Sequence, residues 1–286
     1  MDLVARGVIT SKFISITGEL VELNELFTDY WRSIVPVTQT SSIAFPFSRL
    51  DTEPFWKLAP LPGKEITRPI IDSINTVTQL RNHALGAEID EELFVLIATA
   101  DGRDALAAAL FRSCFSAQGQ QALLEQSKTH SEAYQYSLTL EKIAQAPIAA
   151  QSIAADEYKP AARDQGFRRA IVLHYDHRCA LCGTRIVTSE GHTVVDAAHI
   201  MPWSESHNDD IRNGMALCKL CHWAFDEWLM GVSDAYRVLI ATQVSFDHNA
   251  AGALLNLKDR NIIAPKHETF RPHQNNLAKH RERFRL

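Results

Sequence analysis

The sequence predicts an α+β protein in which a mixed α/β domain precedes a second domain of different chemistry. Residues 1–150 hold 12 Lys and Arg against 18 Asp and Glu, whereas residues 151–286 hold 17 against 16 and ten of the twelve histidines. The first region mixes strand-like and helical patterns, and the second orders them as strand, long loop, strand and helix. A polar stretch rich in Gln, Ser and Ala lies between them. We therefore place domains at 1–118 and 159–286, joined by a helical linker at 119–158.

The composition is that of a globular protein. The chain has 286 residues, of which 46% are hydrophobic and 22% charged, enough to bury a core. No run of about 18 apolar residues predicts a membrane span, and the first residues lack the apolar core of a signal peptide. We expect a cytoplasmic protein, and in that reducing compartment cysteine pairs indicate metal more often than disulfide. The net charge of -5 excludes a uniformly basic surface but permits a basic patch.

Three segments of the first region have readable patterns. Residues 13–34 alternate and then take helical spacing, with one apolar face formed by Leu20, Leu23, Leu26, Phe27, Tyr30 and Trp31. Residues 43–60 hold three prolines and four aromatic residues, which predicts extended segments broken by turns. Residues 90–115 predict two helices joined at Asp101-Gly102.

Two Cys-x-x-Cys pairs predict a structural zinc site in the second region. Cys179 and Cys182 form the first pair, and Cys218 and Cys221 the second. Four thiolates at this spacing suit tetrahedral Zn²⁺, whereas a redox role needs only one pair and four unrelated buried cysteines would not be paired. A simple zinc ribbon separates its pairs by roughly 15–20 residues, and here residues 183–217 lie between them. The zinc is therefore expected to clamp an inserted element, and any catalysis must come from that insertion.

The insertion and the helix that follows it combine histidine, asparagine and acidic side chains on predicted elements. Thr193–Ile200 reads as a strand, "MALC" as a second strand and "KLCHWAFDEWL" as a helix whose apolar face is predicted from Leu220, Trp223, Ala224 and Trp228. His199 ends the first strand, Asn213 lies at the turn before the second, and His222 lies in the first turn of the helix. Asp226 follows His222 by one helical turn.

These residues resemble the HNH, or ββα-metal, endonuclease family, with His199, Asn213 and His222 as its signature. The flanking sequences "AAHIMPW" and "RNGMALCKLCHWAFD" are similar to the branch found in modification-dependent restriction endonucleases. The resemblance covers residues 165–245, and residues 257–280 also resemble that branch. It implies a general base at His199 and a Mg²⁺ or Mn²⁺ ligand at His222. It implies that Asn213 either orients the base or supports the metal loop.

The sequence departs from that family pattern directly before the base. Ala198 stands where many members carry a metal-binding aspartate, so Asp196 is expected to substitute, with a structural carboxylate as the alternative. Asp226 is expected either to orient a histidine or to be an ordinary helix carboxylate. The polar loop side chains His207, Asp209 and Asp210 are expected to form turns and to be solvated.

The first domain resembles the recognition domain of phosphorothioate-dependent restriction enzymes. In that family an aromatic-proline pair lines a small apolar cavity for backbone sulfur, and Phe45-Pro46 matches the pair. An ordinary domain core is the alternative for these aromatic residues. Arg49 is a candidate phosphate contact. The family's earlier basic helix has no counterpart here, so we expect either a truncated start or a lost sulfur site.

The resemblance implies a metal-dependent DNA endonuclease, specifically a restriction enzyme acting on modified DNA. Its expected partner is double-stranded DNA with a modified, for example phosphorothioated, backbone or modified bases, and cutting both strands with one site per chain implies a homodimer. The alternative is a non-catalytic zinc-stabilised DNA-binding or regulatory protein. A zinc deaminase is excluded because neither cysteine pair is preceded by the proline of the Pro-Cys-x-x-Cys signature.

Overall fold

The computed structural model describes residues 1–18, 20–36, 38–146, 158–245 and 252–283. The chain forms two compact units: an N-terminal unit of Met1–Lys128 with Val187–His192, and a C-terminal unit of Thr129–Ile186 with Thr193–Leu286. Both combine helices with short antiparallel sheets, which confirms the α+β class. The stretch predicted as a linker is partly one long helix, and residues 147–157 of it lie outside the described residues.

The N-terminal unit alternates helices with three strands. In chain order its elements are α1 (Asp2–Ala5), β1 (Phe13–Ser15), α2 (Val21–Ile34), α3 (Ala44–Arg49), β2 (Trp56–Pro60), α4 (Arg68–Ser73), α5 (Val77–Arg81), β3 (Ala84–Ile89), α6 (Glu91–Ala98), α7 (Ala100–Cys114) and the start of α8 (Ala117–Gln145). The strands form an antiparallel sheet in the order β1-β3-β2. Helix α2 confirms the amphipathic helix predicted from the sequence.

Two predictions for this unit were wrong in detail. The segment predicted as extended begins with α3, because a proline in the first turn of a helix, here Pro46, sacrifices no helical hydrogen bond. The break between α6 and α7 lies at Thr99 rather than at Asp101-Gly102. The Thr99 hydroxyl accepts a hydrogen bond from the Gly102 amide, so this N-cap begins α7 earlier than expected.

The short segment Val187–His192 belongs to the N-terminal unit although its sequence lies between the cysteine pairs. The Glu190 carboxylate accepts hydrogen bonds from the Val77 amide at 2.8 Å and from the Ser42 hydroxyl at 2.7 Å. Gly191 has a φ of +87, and a Cβ there would lie 2.6 Å from the Leu20 carbonyl oxygen. Only glycine fits this position.

The C-terminal unit is built around a two-stranded hairpin. After the rest of α8 its elements are α9 (Pro160–His174), β4 (Val195–His199), α10 (Trp203–Ser206), β5 (Gly214–Cys218), α11 (Lys219–Asp226), β6 (Met230–Val232), β7 (Val238–Ile240), α12 (Gly252–Leu255) and α13 (Gln274–Glu282). Strands β4 and β5 pair antiparallel, with His199 opposite Gly214, and α11 follows β5 without a break. The predicted order of strand, loop, strand and helix is confirmed.

The helix α9 packs across both strands of the hairpin. Phe167 and Ile171 are buried in the core of the unit. A Cβ on Gly214 would lie 2.5 Å from the Ile171 side chain and 2.8 Å from that of Phe167. Glycine at the start of β5 therefore lets α9 approach the strand end that carries His199.

The predicted apolar face of α11 was wrong for Leu220, Trp223 and Trp228, and right for Ala224. Cys221, Ala224 and Phe225 are buried, whereas Leu220 and Trp223 are about half exposed. The buried residues follow helical spacing, but their register is set by Cys221, which points toward the other cysteines. None of the described helices is long and apolar enough to cross a membrane.

Candidate active site

The four cysteines of the two pairs meet at one point in the C-terminal unit. Their sulfur atoms all lie within 4.8 Å of one another, and the sulfur atoms of Cys182 and Cys218 are 3.7 Å apart. Tetrahedral zinc with sulfur at about 2.3 Å requires about 3.8 Å between sulfur atoms. Cys218 is the last residue of β5 and Cys221 lies in the first turn of α11, so strand and helix supply one pair between them.

The protonation of these thiols indicates a cation site. Hydrogen bonding from Cys179 lowers the pKa of Cys182 and lowers that of Cys218 to about 6. The pKa values of Cys179 and Cys221 are raised, chiefly because their thiols hydrogen-bond with Cys182 and Cys179 respectively, so the sulfur atoms oppose one another's ionisation. A divalent cation removes this conflict by stabilising all four thiolates together. The donor set therefore fits the structural zinc predicted from the sequence.

The imidazole of His199 is fixed on its face and on one edge. Its Nε2 lies 2.7 Å from Oδ1 of Asp209, whose side chain is 1% exposed. The ring of Phe167 stacks on the imidazole with centroids 4.0 Å apart and planes within 4°. With Nε2 on the carboxylate, Nδ1 is the ring nitrogen that remains to accept a proton.

Asp209 holds two further partners through its other oxygen. The Tyr136 hydroxyl donates to Oδ2 at 2.9 Å, and Nε of Arg163 lies 3.3 Å from the same atom. Burial raises the pKa of Tyr136 far above its usual value, so the hydroxyl stays protonated and acts as a donor. The expectation that Asp209 is solvated was wrong, because these donors satisfy a carboxylate inside the unit.

The other two polar residues of that loop do form turns, as expected. Asp210 caps a short 3-10 turn over Ile211–Asn213 and pairs with the guanidinium of Arg212. His207 adopts a left-handed backbone conformation and stacks on Trp203 with ring centroids 5.2 Å apart.

Asn213 ends the 3-10 turn directly before β5 and is fully buried. Its amide nitrogen donates to the carbonyl oxygens of Met201 and Asn208, and its amide oxygen accepts from the Met201 amide at 3.0 Å. All three hydrogen bonds go to the backbone of the loop between β4 and β5. Of the two predicted roles, the geometry favours support of the loop.

His222 and Asp226 form a pair of potential metal ligands on α11. Nε2 of His222 and Oδ2 of Asp226 are 3.6 Å apart, and both side chains reach solvent. Among the described residues the four cysteines are the one cluster of three or more metal-capable side chains. Two protein ligands suit Mg²⁺ or Mn²⁺ when substrate phosphate and water complete the coordination.

Asp196 does not join this pair. It lies three residues before His199 on β4, and side chains at odd spacing point to opposite faces of a strand. Its carboxylate accepts from Nε of Arg168 at 2.9 Å. The structural carboxylate that the sequence left open as an alternative is the role that this contact favours.

A cavity of about 340 Å³ lies beside the candidate base. It places His199 and Asp226 around one opening, and its other lining side chains include Met201, Phe225 and Trp228. The strand-end histidine and the helix carboxylate therefore face one space that a substrate group can enter.

In the N-terminal unit, Phe45 is 48% exposed and Pro46 is partly buried on α3. The guanidinium of Arg49 lies 4.2 Å from the centre of the Phe45 ring. It also donates to the carbonyl oxygens of Ile71 and Asp72 at the end of α4. Arg49 thus donates its hydrogen bonds to backbone carbonyls within the N-terminal unit, whereas the Phe45 ring presents an aromatic surface to solvent.

A hairpin and helix carrying a strand-end histidine, a helix histidine and four clamping cysteines define the ββα-metal class of nuclease fold. Residues 179–233 match the HNH endonuclease family, which confirms the resemblance predicted from the sequence. A solved structure named "Modification dependent TagI restriction endonuclease" is similar at 21% identity, over 42% of this chain and 38% of that chain, with a TM-score of 0.31. The match thus spans well under half of that protein. No curated protein matches the chain significantly.

Proposed function

We propose that this chain is a metal-dependent DNA endonuclease that hydrolyses phosphodiester bonds. The observation that carries the proposal is the His199 imidazole, fixed by Asp209 through Nε2 and left with Nδ1 as its basic nitrogen. Neutral imidazole is a base suited to neutral pH. The HNH match over residues 179–233 supports the same assignment.

In this mechanism His199 takes the proton of the attacking water at Nδ1. Asp209 stays ionised beside Arg163 and stabilises the imidazolium that forms. His222 and Asp226 would hold Mg²⁺ or Mn²⁺, which supplies positive charge for the phosphate oxygens when bound. Zinc bound by the four cysteines would do no chemistry itself and would hold β5 and α11 in place.

The finer part of the proposal concerns the substrate. We propose double-stranded DNA with a modified backbone or base as substrate, and two copies of the chain for cutting both strands. The exposed ring of Phe45 supports a sulfur-reading surface, because sulfur is larger and less strongly hydrated than oxygen. A non-catalytic DNA-binding protein, which is the alternative, would not need an imidazole whose Nε2 is held by Asp209 while Nδ1 is left to accept a proton.

The test is digestion of unmodified, methylated and phosphorothioated DNA with Mg²⁺ or Mn²⁺, by the unaltered chain and two variants. His199→Ala should lose about 10²–10⁴-fold in cleavage, the usual contribution of a general base. His222→Ala should also lose activity and recover part of it at higher metal concentration. His267→Ala, which changes an exposed histidine outside the site, is the matched control. Cleavage by His199→Ala at the control rate, with zinc content unchanged, would contradict the assignment.

A further inference from the structure

We propose that Tyr136 on α8 and Arg163 on α9 are positioning residues for the base, acting through the carboxylate of Asp209. This inference rests on the proposed nuclease function, because it needs His199 to be the base. Neither residue belongs to the hairpin or to α11, and neither lies within the segment that matches the HNH family.

The carboxylate divides its two oxygens between different partners. Oδ1 faces Nε2 of His199 at 2.7 Å, whereas Oδ2 takes the Tyr136 hydroxyl at 2.9 Å and Nε of Arg163 at 3.3 Å. Rotating the carboxylate would break contacts at both oxygens inside a buried site, where unmade hydrogen bonds are costly. The helices therefore fix the direction in which Asp209 meets the imidazole.

Tyr136 is itself held in place by close packing of the two helices. Its side chain is fully buried, and its ring lies 4.7 Å from that of Tyr158. A Cβ on Gly166 would lie 2.6 Å from the Ala133 carbonyl oxygen and 3.0 Å from the Tyr136 ring. The next residue, Phe167, stacks on His199. The contact between α8 and α9 thus positions both the Tyr136 hydroxyl, which binds Asp209, and the Phe167 ring, which stacks on His199.

Arg163 supplies the positive charge of the network. Its side chain is 15% exposed, and its guanidinium lies 3.7 Å from the centre of the Trp203 ring. A cation beside a buried carboxylate favours the ionised form, which desolvation alone would disfavour. Arg163, which also pairs with Asp164, therefore places positive charge beside the oxygen of Asp209 that does not face His199.

The network also limits how strongly Asp209 holds a charged imidazole. A carboxylate that loses the Tyr136 hydroxyl carries more of its charge toward His199 and favours imidazolium. The base then becomes neutral only at higher pH, so the acidic limb of the cleavage profile should move upward.

Other charged groups around the cavity stay constant in such a comparison. Glu205 is paired with Arg283, which lowers the pKa of the carboxyl, and Asp226 lies on α11. Burial lowers the pKa of His280 to about 4, so this histidine is neutral near pH 7. A shift between variant and unaltered protein therefore reports on the Asp209 network.

The experiment compares Tyr136→Phe with Tyr175→Phe in the full-length protein, using the DNA that it cleaves. Tyr175 is the control because it is also buried in the C-terminal unit, and its hydroxyl has no hydrogen-bond partner among the described residues. For Tyr136→Phe we expect kcat to fall about 3- to 10-fold at pH 7, with the acidic limb about 0.5–1 pH unit higher and KM for DNA unchanged. In a His199→Ala background the same change should have no further effect.

Several outcomes would overturn the inference. The inference fails if the pH profile of cleavage by Tyr136→Phe equals that of Tyr175→Phe. It also fails if Tyr136→Phe lowers kcat by the same factor with and without His199. Full cleavage by His199→Ala would instead refute the base assignment of the proposed function. If Tyr136→Phe does not fold, Arg163→Met and Arg163→Lys give the same test. The lysine should restore most of the kcat lost with methionine, and equal activity of the two would count against a charge effect.

Discussion

Replacing Asp209 by asparagine should move the imidazole proton of His199, the proposed base, from Nε2 to Nδ1. The Tyr136 hydroxyl donates to Oδ2 of residue 209, and the Arg163 guanidinium forms an ion pair with the same oxygen. An asparagine must therefore turn its amide oxygen toward these two donors and its NH₂ group toward His199. That group donates to Nε2, so the imidazole carries its proton on Nδ1, where the water should be deprotonated. We expect Asp209→Asn to lose about 10²–10⁴-fold in cleavage rate.

The cost in stability should be much smaller than the cost in rate. The amide oxygen keeps both donors satisfied, and the loss of charge-assisted hydrogen bonds lowers the free energy of unfolding by about 1–3 kcal/mol. Asp209→Ala would instead leave the buried Tyr136 hydroxyl without its acceptor and Arg163 with Asp164 as its remaining carboxylate partner, at a larger cost in stability. Asparagine therefore separates catalysis from folding, and alanine does not.

The assay is single-turnover cleavage of labelled DNA with saturating protein and Mg²⁺ or Mn²⁺, with zinc content and thermal midpoint measured in parallel. Nitrogen NMR shifts of the histidine rings report the tautomer of His199 directly. Asp210→Asn is the control, because asparagine also caps a turn well and Asp210 makes no contact with the base. Cleavage by Asp209→Asn within about twofold of that control, in folded protein, would refute the tautomer argument.

Two further predictions concern the metal and the substrate. The purified protein should hold one zinc ion. Cys218→Ser should lower both the zinc content and the thermal midpoint, because metal binding and folding are coupled. Metal analysis finding less than about half an equivalent of zinc in folded protein would contradict this. Phe45→Asp should remove any preference for phosphorothioated DNA while leaving metal-dependent cleavage, and equal cleavage of modified and unmodified DNA by the unaltered protein would rule the sulfur surface out.

The cysteine cluster and the order of the hairpin and α11 were predictable from the sequence because both depend on local spacing. Two Cys-x-x-Cys pairs, and apolar residues that alternate with a period of two, can be recognised without knowledge of the fold. His199, Asn213 and His222 followed from the same short window. The family match over residues 179–233 covers this local part of the chain.

The partners of the base could not be predicted in this way. Asp209 and Asp210 are adjacent identical residues in one polar loop, yet one is buried against His199 and the other caps a turn. What separates them is contact with Tyr136, 73 residues away in the chain, and with Arg163. The helix that carries Tyr136 was expected to be an exposed connector, because its polar composition hides a few buried positions.

The two halves of the candidate site are anchored by different parts of the unit. His222 directly follows the zinc ligand Cys221, so its place on α11 depends on the metal clamp. His199 depends instead on Asp209 and on the Phe167 ring, which α8 and α9 hold. The three side-chain hydrogen bonds of Asn213 go to the backbone of the loop between β4 and β5, and none goes to a cysteine or to Asp209. Because the proposed hydrolysis needs base and metal together, loss of either anchor should abolish cleavage.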